Sequence, residues 1–95
     1  MADIILTPTV VAQKAEDLRS YATQLTNDKE DFESAEEALA GMWDGEAKDS
    51  FRTKFQTGMQ HVQTYIEAVN NYAAALDEIK QELEEADRRS AEAVQ

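Results

Sequence analysis

The chain has 95 residues, 42% hydrophobic and 31% charged, with twenty acids against nine bases for a net charge of −11. That length makes one domain with a modest core, and the composition is that of a soluble helical protein, neither disordered nor membrane-spanning. The charge disfavours nucleic acid, whose binding rests on neutralising phosphates, and it disfavours stable association with an anionic membrane at neutral pH. Cysteine is absent, which removes disulfides and thiolate metal sites from consideration.

The opening MADIILTPTV has no cationic stretch and an apolar run too short for a secretory signal, so any export is expected to proceed without a cleaved signal peptide. Thr7-Pro8 reads as a helix start, threonine capping an orphan amide and proline pre-set for the first helical position. From there Val11, Leu18, Leu25, Phe32 and Leu39 recur at heptad spacing, with Ala15 and Ala22 beside them. Lys29 and Glu36 interrupt that second row, narrowing the stripe, and Gly41 is the expected stop. The first helix is therefore predicted over about 8–40.

The second is predicted over about 46–90, with a flexible C-terminal tail. Phe55, Val62, Val69, Leu76 and Leu83 form one heptad row, and Phe51, Gly58, Tyr65, Tyr72, Ile79 and Ala86 form another. Met59, Ile66 and Ala73 add a third, a stripe broader than one neighbouring helix covers. Two such helices joined by a turn at 41–45 fold back as an antiparallel hairpin. Counting outward from the turn sets Leu39 near Ala47, Phe32 near Phe55, Leu25 near Val62 and Leu18 near Val69, with tyrosines filling the space over Ala15 and Ala22. Residues from about 80 onward then face only Ile4, Ile5 and Leu6. The expected fold class is all-α, a helix–turn–helix hairpin dimerising into a four-helix bundle. Its dimer and hairpin core comprises Val11, Leu18, Leu25, Phe32, Leu39, Phe51, Phe55, Met59, Val62, Ile66, Val69 and Leu76.

The turn itself, GMWDGEA at 41–47, sets the only tryptophan between two of three glycines. Gly45 and Gly41 can adopt backbone angles closed to other residues. Asp44 is placed to cap the second helix, and Glu46 adds charge favourable to its positive end. Trp43 then either plugs the end of the core or is displayed for recognition. A Trp-x-Gly turn, here Trp43-Asp44-Gly45, midway along a chain of about a hundred residues resembles the WXG family, the early-secreted-antigen-like (Esx) substrates of type VII secretion systems. The resemblance spans essentially the whole chain. It implies a small secreted, virulence-associated protein acting through protein–protein contacts, as a homodimer or with a WXG-type paralogue. It also implies recognition by the membrane ATPase or core of a type VII apparatus, and export from a Gram-positive or mycobacterial-type cytoplasm. The family's export signal is bipartite, the turn of one subunit lying beside a C-terminal helical motif of its partner. In the Tyr-x-x-x-acid form of that motif, LEEAD at 83–87 supplies Asp87 but puts Leu83 in the tyrosine position. In the broader form, Leu83, Asp87 and Val94 match while Ser90 departs from a hydrophobic position. The implied recognition residues are Trp43, Gly45, Leu83, Asp87 and Val94. Spacings of four, seven and eleven put the motif on one helix face; the same stretch also reads as a solvated helix end whose Leu83 completes the seam.

An enzyme is not expected. His61, the sole histidine, lacks the Glu-x-x-His pairing of di-iron bundles, and no phosphate loop or EF-hand spacing occurs, so no metal and no cofactor are implied. Two other readings stay open. One is a cytoplasmic adaptor or chaperone that forms a heterodimer with a larger secreted toxin or a second WXG-type protein. The other is a membrane-active effector, whose acidic repulsion from lipid would relax at low pH.

Overall fold

The computed structural model describes residues 6–94, with side chains through residue 92. It is all-α: α1 spans Pro8–Ala40 and α2 spans Glu46–Val94, joined by a short turn as a helical hairpin. Helix α1 begins as the residues dictate. The Thr7 hydroxyl accepts a hydrogen bond from the Val10 amide at 3.2 Å, and the Thr7 carbonyl accepts from Val11 at 3.0 Å. Helix α2 carries Glu46 and Asp49 in its first turn, where carboxylates offset the positive end of the helix dipole. It remains helical past residue 90, to Val94.

The hairpin divides into two compact units, one of Tyr21–Ala68 around the turn and one formed by the described residues of 1–20 and 69–95. In the second unit Val11, Ala15 and Ala73 are buried, flanked by half-buried Leu18, Val69, Leu76 and Leu83. Ala15 and Ala73 have no accessible surface at all, so this seam is built on small residues that let backbones approach closely. Across it Arg19 donates to Asp77 and also holds Glu16 at 2.7 Å. The hydrogen bond to Asp77 is the main reason that the guanidinium is held above its ordinary range. Leu6 is exposed, and Ile4 and Ile5 lie outside the described residues.

In the unit around the turn, Ala22, Glu36, Ala40 and Ile66 are buried, with Leu25, Lys29, Phe55, Met59 and Val62 half-buried beside them. Burying a side chain such as Ile66 stabilises the fold by about 2 kcal/mol. Here the structure departs from the heptad reading. Phe32 is 62% exposed, and Leu39 and Phe51 are also exposed, so these three lie outside the core of the single chain. Glu36, expected to interrupt the stripe, is instead buried at 8% exposure. An α-helix turns once every 3.6 residues, so positions seven apart drift by about 20° per heptad. Over four heptads, the row that begins at buried Val11 has rotated out of the seam, and Glu36 and Ala40 have rotated in.

On α2 the most buried positions, Ile66 and Ala73, belong to what the sequence presents as the third row. The row of Phe51, Tyr65, Tyr72 and Ile79 is exposed, so the tyrosines lie outside the core of the single chain. One facing helix covers only a narrow strip, and the strip it covers lies to the other side of the broad stripe. Elsewhere on α2 Thr53, Thr57 and Thr64 turn their hydroxyls back onto carbonyls one turn earlier, those of Asp49, Thr53 and Gln60, at 3.0, 3.1 and 3.0 Å.

Candidate functional site

Helix α1 ends by tightening. The Gly41 amide still makes an α-type bond to Glu37 O at 3.1 Å. Met42 and Trp43 then reach back only three residues, to Leu39 O at 3.0 Å and Ala40 O at 3.4 Å. This 3₁₀-like finish gives the Leu39 and Ala40 carbonyls their partners without a left-handed residue. Gly41 accordingly keeps a negative φ, contrary to the expectation that it would use its special freedom. Gly45 does use it, with φ at 112°, an angle that side-chain-bearing residues rarely adopt. It is the residue just before α2, and its carbonyl accepts from Lys48 at 3.2 Å. Asp44 is therefore one position too early to cap. Among the described residues no hydrogen bond reaches its carboxylate, and the dipole is met by Glu46 and Asp49 instead.

Trp43 is half-buried on this turn. Its ring lies 5.5 Å from that of Phe51, tilted by 50°, and Phe51 in turn stacks on Phe55 at 6.3 Å. The indole is thus neither sealed in the core nor free, resting its weight on the first turns of α2 while keeping a face to solvent. Next to it Met42 is 81% exposed. Beneath the turn, the Arg52 guanidinium forks onto the buried Glu36 carboxylate, Nε to Oε2 at 3.0 Å and Nη2 to Oε1 at 3.2 Å. This pair escaped the sequence reading, which saw Glu36 as a break in a pattern. The available signal was symmetry: Glu36 and Arg52 stand equally far from Asp44 on opposite arms of the hairpin.

Of the residues implied in recognition, Trp43 and Gly45 share the turn. Leu83 and Asp87 belong to the other unit, Leu83 half-buried and Asp87 exposed, with Ser90 exposed on the same helix. Val94 is the last residue of α2, and its side chain falls outside the described residues. Because α2 is helical throughout 83–94, these four positions follow one face of it. His61 is exposed, and among the described residues no group of three or more His, Cys, Asp or Glu is arranged to hold a metal ion. Nor is any described helix long and apolar enough to cross a membrane.

Residues 3–88 match the family model for proteins of 100 residues with WXG. Among solved structures, a secreted protein ESXB from Bacillus anthracis str. Sterne superposes with a TM-score of 0.82 at 25% identity, over 92% of this chain and 99% of that one. A second crystal structure of the same protein, in its wild-type form, matches with a TM-score of 0.80 at 25% identity, over 88% and 97% of the two chains. A point mutant of it gives 0.82 at 25% identity, over 92% and 97%. No curated protein sequence matches. The family model covers nearly the entire chain, and the turn it is named for is the one built from Trp43, Asp44 and Gly45, so this protein is a member of the WXG family of about 100 residues.

Proposed function

We propose that this protein is secreted through a type VII apparatus as a homodimer, its export signal made jointly by the Trp43–Gly45 turn and the C-terminal part of α2. The observation that carries the reading is the half-buried indole, fixed on a Trp-x-Gly turn in a chain of this family. Likeness to a secreted relative supports export. Leu83 and Asp87, on one face of a continuous helix, offer an apolar anchor and a charge that a groove can read together with Val94. The partner that would read them is the membrane ATPase or core of the apparatus.

Self-association is supported by what the single chain leaves uncovered. The unit around the turn exposes Phe32, Leu39, Phe51 and Tyr65, and the same row on α2 continues through Tyr72 and Ile79. Single exposed apolar side chains are ordinary, but a row of them at heptad spacing is the pattern of a helix waiting for a second pair of helices. A second hairpin covers it as a four-helix bundle.

The test is export from a bacterium that carries a type VII system. Trp43→Ala and Asp87→Ala are each expected to remain in the cells, with helicity by circular dichroism unchanged. Normal release of both would defeat the mechanism. Light scattering on the purified chain checks the dimer; a monomer at high concentration would remove that part and favour a heterodimer with a paralogue.

A further inference from the structure

We infer that the Glu36–Arg52 pair is the positioning device of the Trp43 turn, holding the indole in the pose a partner reads; this rests on the recognition role proposed above. The backbone shows why such a device is needed. Trp43 belongs to α1 by its amide, which bonds Ala40 O at 3.4 Å, but to α2 by its ring, which lies on Phe51. Among the described residues no backbone hydrogen bond spans the joint between them, since the next one runs from Lys48 to Gly45. Gly45, at a φ of 112° and with nothing within 4 Å of where a side chain would begin, leaves that joint open. A single tilted ring pair is too weak and too tolerant of angle to fix one helix end against the other.

Glu36 and Arg52 supply the missing constraint. Both stand within the unit that holds the turn, one near the end of α1 and the other in the second turn of α2, next in sequence to Phe51. Two parallel bonds between planar groups set distance and orientation together, which one bond from an ammonium cannot do. Burial of Glu36 makes the arrangement exclusive, because a carboxylate in that place has to keep its partner. The fork therefore fixes Phe51 relative to Ala40, and with them both supports of the indole.

Arg52→Lys in the full chain tests this, since it keeps the charge and loses the fork. The readouts are far-ultraviolet dichroism for helix, the near-ultraviolet band and acrylamide quenching of the sole tryptophan, and export. The expected result is retained helix, loss of the near-ultraviolet tryptophan band, increased quenching and loss of export. Exchanging the pair, Glu36→Arg with Arg52→Glu, restores band and export together. An unaltered tryptophan band in folded Arg52→Lys overturns the inference. If Arg52→Lys loses helix as well, the exchanged pair decides: helix regained without the tryptophan band assigns the pair to folding alone and also overturns it. Normal export of Trp43→Ala would instead remove the recognition reading while leaving the spectroscopic result intact.

Discussion

Each unit of the hairpin carries an ion pair between the helices, and the two pairs are built differently. Around the turn, Glu36 keeps only 7% of its side-chain surface and accepts from both Nε and Nη2 of Arg52, whose own side chain keeps 39%. In the other unit Arg19 and Asp77 retain 37% and 45% of theirs, and Arg19 is shared with Glu16. The surroundings differ in step. Where the acid of the pair is exposed, the seam closes on surface-free Ala15 and Ala73; where alanine gives way to a carboxylate, that carboxylate is drawn inside and only the arginine keeps its surface. Both units pack apolar side chains, but only the one around the turn adds a buried carboxylate, in a place where charge is costly.

That contrast can be broken at measurable points. The largest effect belongs to Arg52→Ala, which strands the Glu36 carboxylate. Breaking a fully buried pair costs about 3–5 kcal/mol, and the partial exposure of Arg52 brings the expected loss to about 2–3 kcal/mol by denaturant melts. Replacing both partners by leucine recovers most of it, because no charge is then left behind. Next comes Ala73→Leu, which forces an isobutyl group where a methyl sits, in a seam with no surface to spare; about 1–3 kcal/mol is expected from the same melts. Smallest is Asp77→Asn, for which no resolvable change in melting temperature is expected, since the pair it weakens faces solvent. A large effect from Asp77→Asn with a negligible one from Arg52→Ala would invert the comparison.

The fold class was legible because its signals are local and redundant. Thr7 caps, Pro8 starts and heptad hydrophobicity runs through both helices, each pointing to the same hairpin. What was not legible depends on accumulated angle. A heptad row reads as one stripe on paper, but along a helix as long as α1 it wanders, so Phe32 and Leu39 leave the seam and Glu36 enters it. The turn shows the same limit over a shorter span. Glycine at 41 and 45 looks equivalent in sequence, yet one extra 3₁₀-like step leaves only Gly45 at a positive φ and puts Asp44 a residue short of the cap. At the candidate site, the tryptophan announced itself by rarity, whereas its support Arg52 is one of nine bases and shows its importance only beside Glu36.

The threonines of α2 have a bearing on how this molecule would meet another. By giving their hydroxyl hydrogens to their own helix, Thr53, Thr57 and Thr64 turn outward less as donors than as methyl groups. The threonine oxygens still accept from water, and exposed Gln60 and His61 share that face, so an incoming surface meets methyl groups and acceptors there but few hydroxyl donors. A flank of that kind offers an arriving neighbour shape more than donors, so its fit would be set by packing of the methyl groups.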